Sequence, residues 1–378
     1  IIGLGEHLKN PRLSQLIKYY QDWYVPENMA LILVGNVNTQ KIMGRIAAAF
    51  GKLRPQTIPE RKIYPEVPIQ GRTQYSTKYS QYPSVVMIYN GVKSGHPDEI
   101  AIDICLQLLS NTSGTGLLDK QTINGDLLGG SAQMLSFREQ GRNIVMGVPY
   151  YDEGQRRFES NKSVEKKLLS SVQQIAAGEF ESWVVDAIKV NLCRDFDLQM
   201  ESNDFKAQLL MNAFINEEDL NRVLNFKDEV MSVSLDDIKR VAKEYLTDNY
   251  IVIFNERGKP AKSEKIRKPG YKPIEPPVGQ SSMYAQQFRN MATGKVEEKF
   301  VDLSKVQERK LNDYSRVYYT QNTENDVFTL VLKYGAGTAV FPKLVYAAGL
   351  MDNAGILGNL TPQELKEELR KLQVICNI

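Results

Sequence analysis

Apolar positions recur at helical spacing over residues 12–24. Leu13, Leu16, Ile17, Tyr20 and Trp23-Tyr24 fall on one side, which predicts an amphipathic helix. Pro26 and Asn28 end it. Met29–Val34 is a continuous apolar run closed by Gly35-Asn36, and six residues suit a buried strand better than a helix. Residues 38–50 predict a second helix, with Ile42, Ile46, Ala49 and Phe50 inward and Gly51 as the stop. Pro55, Pro59, Pro65 and Pro68 make 52–70 a boundary or linker. Residues 72–80 are polar and alternating, and Ser84–Tyr89 reads as a strand. Gly91–Pro97 is a turn, Asp98–Leu109 a helix, 111–116 a flexible break, and Leu117-Leu118 the start of a short helix. Residues 130–150 alternate as two strands joined at Glu139–Gly141.

The chain then becomes helix-rich. Residues 162–177 and 179–200 predict two helices broken at Gly178, and 203–214 and 218–225 two shorter ones. Leu235–Leu246 reads as a helix and Tyr250–Phe254 as a strand. An internal repeat emerges between Leu13–Val34 and Ser234–Asn255. At a constant separation of 221, Ile17 matches Ile238, Lys18 matches Lys239, Tyr24 matches Tyr245, Asn28 matches Asn249 and Ile32 matches Ile253. Both stretches read helix, Tyr-containing last turn, Asn-containing loop, buried strand. The shared order favours duplication over coincidence, and the interval suits whole domains rather than a solenoid unit.

Residues 256–285 form a second linker. It combines Lys259, Lys262, Lys265, Arg267, Lys268 and Lys272 with five prolines. No aromatic residue is interleaved for stacking, so a stiffened, solvated connector is preferred over a nucleic-acid patch. Beyond it, Val327–Lys333 predicts a strand and 343–350 and 362–372 predict helices. Thr361-Pro362 with Glu364 is a strong helix start. Val374–Ile378 is apolar and β-like, and stopping there suggests a piece of a longer chain.

Composition narrows the function classes. The 378 residues suggest two to three domains with cores of normal size, since 42% are hydrophobic and 24% charged. Lys+Arg 47 against Asp+Glu 45 leaves net +2, which argues against a polyanion such as nucleic acid as the main partner. Cys105, Cys193 and Cys376 are far apart and odd in number, so neither a disulfide framework nor a structural zinc site is expected. No apolar run approaches the roughly 20 residues that cross a bilayer. The start, Ile1-Ile2-Gly3-Leu4-Gly5, lacks the form of a signal peptide. The expectation is a soluble chain without a membrane span, its compartment unassigned.

Histidine is scarce. His7 and His96 are the two present, 89 positions apart, so no His-based zinc site can be assembled locally. His7 beside Glu6 reads as surface loop rather than a ligand pair. His96 before Pro97-Asp98 reads as orienting the next helix, and Asp98 as a first-turn acid favoured by the helix N-terminus. The loop around Gly114 and Gly116 lacks the lysine of a phosphate cradle. Ser84 and Ser113 have neither a partner histidine nor an elbow motif. Sequons at Asn111 and Asn359 would matter only in a secretory setting.

Tyr24-Val25-Pro26-Glu27-Asn28-Met29-Ala30-Leu31-Ile32-Leu33-Val34-Gly35-Asn36 resembles a segment late in the first domain of the M16 metallopeptidases, the family of pitrilysin and insulin-degrading enzyme. Phe50-Gly51 resembles the close of the following helix. Gly95-His96-Pro97-Asp98, with Ala101 and Leu106, resembles the opening helix of the second domain, Leu117 lies where that domain usually has a Ser-Arg-Leu-like sequence, and Ser234–Phe254 resembles its end. Tyr334–Gly337 and Leu360–Leu372 resemble the opening of a third domain.

The resemblance implies an α+β fold: repeated homologous two-layer α/β domains, with mostly antiparallel sheets covered by helices on one face. The implied divisions are 1–60 (the C-terminal part of domain one), 61–257 (domain two), 258–315 (linker) and 316–378 (the start of domain three).

Family members bind zinc through His-x-x-Glu-His on a helix, where histidines four apart share one face and the Glu reaches the metal-bound water. This sequence lacks that motif; its third-domain counterpart, Pro342–Ala348, offers neither ligand nor base. No catalytic, cofactor-binding or metal residue is therefore assigned, no cofactor is expected in this fragment, and zinc is expected in the full-length parent. The implied function is the non-catalytic portion of a zinc endopeptidase that degrades or processes peptides. Its partners would be peptide substrate and the remaining M16 domains or a partner subunit. The alternative is a catalytically inactive M16-like subunit or scaffold for peptide binding or assembly. A third reading, an unrelated α/β binding protein, requires domains without a shared topology.

Overall fold

The computed structural model describes residues 12–259, 275, 278–292, 294, 300, 302–351, 354–374 and 376. Among them the elements run α1 (Leu13–Trp23), α2 (Thr39–Phe50), β1 (Arg72–Ser80), β2 (Ser84–Asn90), α3 (Glu99–Leu109), α4 (Leu117–Ile123), β3 (Leu127–Ser136) and β4 (Gly141–Pro149). Next come β5 (Tyr151–Asp152), β6 (Arg157–Phe158), α5 (Asn161–Ala177), α6 (Ser182–Met200), α7 (Asn203–Asn216), α8 (Leu220–Leu224), α9 (Phe226–Ser232), α10 (Leu235–Tyr245) and β7 (Tyr250–Arg257). The remainder is α11 (Met283–Asn290), β8 (Gln307–Lys310), β9 (Arg316–Tyr319), α12 (Leu344–Met351) and α13 (Pro362–Lys371).

Two compact units divide the chain: Ile1–Tyr20 with Glu264–Phe328, and Gln21–Ser263 with Thr329–Ile378. The described part of the first holds most of α1, α11 and the β8–β9 hairpin. The second is built on a five-stranded sheet in the order β1-β7-β2-β4-β3. Only β1–β7 is parallel; β7–β2, β2–β4 and β4–β3 are antiparallel. Period-2 alternation sends one set of side chains to each face. Val252, Met87 and Val145 stand side by side on one face, each 0% exposed. Burying each contributes about 1.5–3 kcal/mol.

Five helices complete this core: Ile102, Leu106 and Leu109 come from α3, Leu118 from α4, Leu168, Val172 and Ile175 from α5, Val185 and Ile188 from α6, and Ile238 and Val241 from α10. Gly147 lets α5 lie close, because a Cβ there would stand 2.9 Å from Val164 Cγ1. Gly178, at φ 81°, caps α5 in the left-handed conformation and separates it from α6, as the sequence break predicts.

Two polar clamps tie chain-distant elements to this layer. Arg72 on β1 grips Glu165 of α5 with Nε–Oε1 at 2.7 Å and Nη2–Oε2 at 3.0 Å. The Tyr250 hydroxyl donates to the same Glu165 at 2.9 Å. Burial first, then this bond, pushes the Tyr250 phenol up to about 12. The second clamp is Asp98 at the start of α3. Arg240 donates to both its oxygens, at 2.5 and 3.2 Å, and the Tyr245 hydroxyl donates at 2.8 Å. The Arg240 hydrogen bond is the main cause holding the Asp98 carboxyl below its ordinary range.

Most predicted elements are present, and the exceptions share a cause. Met29–Val34 and Val327–Lys333 are apolar runs that enter no ladder among the described residues. An apolar run becomes a strand only when a neighbour takes up its backbone groups, and periodicity cannot supply that neighbour. On α2, Ile42 and Ile46 are half-buried, but Ala49 and Phe50 are exposed. The β5–β6 and β8–β9 hairpins, α9 and α11 are additions to the elements expected from the sequence. Most of the basic linker and of Val374–Ile378 lies outside the described residues.

Replacing Asp98 by Asn should cost about 1–2 kcal/mol near neutral pH, given the exposed Arg240 partner. The Asp98 pKa is depressed in the fold, so its contribution is present above the unfolded carboxylate pKa and vanishes as pH falls through the folded one. Urea unfolding at about pH 7 and about pH 2 should therefore separate the two proteins in the first condition and not in the second. Glu165→Ala should lower stability by about 1–2 kcal/mol, because it leaves the buried Tyr250 hydroxyl without its acceptor while the exposed Arg72 keeps water and Gln74. The denaturant midpoint reads this, and a cost below about 0.5 kcal/mol would show that the clamp is not structural.

Candidate functional site

The residues singled out from sequence do not converge. His7 and Glu6 lie outside the described residues. His96 Nδ1 accepts the Asp98 backbone N–H at 3.1 Å, so it orients the start of α3 as expected. Ser84 Oγ accepts from the Asn255 side-chain amide at 3.4 Å. In the 111–116 loop, Asn111 Oδ1 accepts the N–H of Ser113 and of Thr115, while Asp119 accepts those of Asn111 and Gly116. These amides face inward rather than toward a phosphate.

The fold adds a residue that no local pattern could pair with this loop. Arg370 of α13 donates to Ser113 Oγ at 2.8 Å across 257 positions. It is 1% exposed, its Nε has no partner, and burial brings its pKa down to about 10. Cys105 is buried, its thiol pushed up to about 12 by desolvation, and all three cysteines are free. Among the described residues, no three His, Cys, Asp or Glu side chains are placed to hold a metal ion. The residues here do not fit a zinc centre. No described helix is long and apolar enough to cross a membrane.

The candidate surface is the other face of the sheet. Strand register aligns Tyr75, Ile253, Val86, Met146 and Ser131 in one row. Thr73, Ile251, Ile88, Ile144 and Gln133 form the next. The central aliphatic residues of both rows are partly exposed, whereas their neighbours one position along each strand are buried under helices. This face is apolar in the middle and polar at both ends. At one end Asn90 pairs with the Ile69 backbone, accepting its N–H at 3.0 Å and donating to its carbonyl at 3.2 Å. Arg142 pairs with Glu66 beside it. At the other end lies the Asn255–Ser84 pair. Such a face can hold an extended apolar chain or a second apolar layer.

β2, β4 and β7 are legible in the sequence as strands, but their two apolar sides are not distinguishable there. Both faces of these strands are aliphatic, and only the packing of α3, α5 and α10 decides which one is covered.

The family model for the peptidase M16 inactive domain matches residues 12–192. The zinc protease PqqE of Helicobacter pylori is 21% identical over 253 residues, covering 65% of this chain and 55% of its own length. The chain thus spans about half of that curated relative. A crystal structure of a protease from Helicobacter pylori matches at TM-score 0.59 and 20% identity, over 67% of this chain and 61% of that one. The peptidase M16 inactive domain from Pseudomonas fluorescens matches at TM-score 0.57 and 14% identity, over 68% and 60%. At these identities the structures establish the fold alone. The family match supports one assignment: residues 12–192 correspond to an inactive peptidase domain of the M16, or pitrilysin, family, homologous to those of zinc proteases.

Proposed function

We propose that the chain is the non-catalytic portion of an M16-type zinc-dependent endopeptidase, and that its second domain, residues 61–257, walls the chamber in which the parent holds peptides. The observation that carries this is the open sheet face centred on Val86, Ile88, Ile144, Met146, Ile251 and Ile253. Solvated sheet faces normally alternate to polar residues. This one keeps aliphatic side chains where no helix layer covers them among the described residues, as a surface that meets unfolded polypeptide would. The zinc centre lies elsewhere in the parent. This chain contributes shape and apolar contact, and no bond-breaking step is routed through it.

The divisions 1–60, 61–257, 258–315 and 316–378 belong to the same proposal, as the end of one domain, a complete second, a connector and the beginning of a third.

The test uses the full parent protein. Elemental analysis should find bound zinc, and an unfolded peptide should be cleaved. Ile88→Glu with Ile144→Glu should lower kcat/KM for that peptide by about 10-fold or more while the zinc content and the unfolding midpoint of the parent stay unchanged. A parent with neither zinc nor peptidase activity would replace this proposal with an inactive subunit or scaffold. Unchanged kcat/KM in the double variant would remove the sheet face from the function.

A further inference from the structure

Helix α13 packs on α4 and α6, and cations crowd that junction. Most of them have an acid. Lys120 Nζ lies 3.1 Å from Glu367, Lys371 Nζ 2.8 Å from Glu368, and Arg194 Nη2 2.8 Å from Asp195. Lys366 stands close enough to Asp119 to favour its ionised form. The exception is Arg370, which is also the most buried, at 1% exposure. Among the described residues, no carboxylate lies within 4.0 Å of its guanidinium.

A guanidinium cannot shed its proton to relieve burial, so the charge stays where the fold puts it. A buried charge without a counter-charge is costly, and a chain that keeps one has a use for it. The single hydrogen bond of Arg370 goes to a neutral group, from Nη1 to Ser113 Oγ at 2.8 Å. Its Nε is buried without a partner, and Nη2 makes no hydrogen bond among the described residues. Nε and Nη2 are the two parallel donors with which a guanidinium grips an oxyanion.

The surroundings add to this. Ser113 Oγ accepts from Arg370, and the backbone N–H of Ser113 is taken by Asn111, but the hydroxyl proton of Ser113 has no acceptor among the described residues. Burial first, then the nearby Arg194, brings the Arg370 pKa down to about 10, so the local field is short of negative charge. Asp195, the acid on this side, is held by Arg194 through both Nε and Nη2. Arg370 lies in the last turn of α13, where a helix frays most readily, so a small ion can reach it without opening the core.

We propose that the Nε–Nη2 edge of Arg370, with the Ser113 hydroxyl, binds a small oxyanion, a phosphate or a carboxylate, and that this ion fastens α13 to the 111–116 loop. The ion supplies the counter-charge that the chain withholds.

Urea unfolding of this chain in rising inorganic phosphate, with chloride balancing the ionic strength, tests the proposal. Once the site is filled, each tenfold increase in phosphate should lower the unfolding equilibrium constant about tenfold. A parallel series in acetate separates the two sources: saturable stabilisation by acetate alone identifies a carboxylate, and by phosphate alone a phosphate. In Arg370→Met the dependence should fall to the general effect of an excluded salt. Titration calorimetry on the folded chain gives a second reading, with binding about tenfold weaker in Ser113→Ala. Stabilisation by neither anion would overturn the proposal. So would equal dependence in the wild type and Arg370→Met, which is a salt effect without a site. Should Arg370→Met fail to fold, undiminished affinity in Ser113→Ala overturns it by itself. Neither reading involves zinc or proteolysis, so the outcome is independent of the peptidase proposal.

Discussion

The insertion of Tyr250–Arg257 between two strands that precede it by more than 160 positions is the pairing on which the domain depends. β7 supplies hydrogen-bonding neighbours to both β1 and β2, which do not pair with each other. Without it, β1 would have no ladder and the β2–β4–β3 meander would present a raw edge. The two polar clamps sit where this long-range closure has to be registered. Glu165 joins α5 to β1 and, through Tyr250, to the first residue of β7. Asp98 joins the start of α3 to α10, the helix that delivers the chain into β7. Loop closure over such a distance is entropically costly, and these contacts act on its last step.

The helices occupy one face because each has a single apolar stripe to bury. α10 places Ile238, Val241 and Ala242 on that stripe, and the charged residues Lys239, Arg240 and Lys243 elsewhere. The sheet is different: its central strands are aliphatic on both faces, so covering one leaves a second apolar surface. In a free-standing domain that would be a liability. In the function proposed above, it is the surface that meets other polypeptide. The absence of a metal-ligating cluster among the described residues and the match to an inactive domain direct attention to that surface rather than to a reacting group.

Electrostatics here is structural. His96 serves the N-terminus of α3, and Asp98 is saturated by Arg240 and Tyr245. Arg370, nearly without solvent exposure, holds α13 against the 111–116 loop through one hydrogen bond to Ser113. A buried guanidinium with an unpartnered Nε is an expensive way to dock a helix, and favours geometric definition over stability.

Periodicity and end signals in the sequence were enough to place nearly every helix of the 72–257 region and all of its long strands, because those signals are local. The Ser234 and Thr361 capping boxes and the Gly178 stop lie where residue chemistry puts them. The missing zinc motif, the scarcity of histidine and the family resemblance were likewise fixed by residue identity.

What local pattern could not decide was pairing and coverage. Met29–Val34 and Tyr250–Phe254 look alike as strings, yet among the described residues one lies outside every ladder and the other is an interior strand of the sheet. Nor could it tell which aliphatic face of β2 and β4 would be covered, or that Arg370 would meet Ser113. Each of these is settled by which distant surface arrives opposite a residue, and a hydrogen bond or a buried contact exists only when both of its sides are in place.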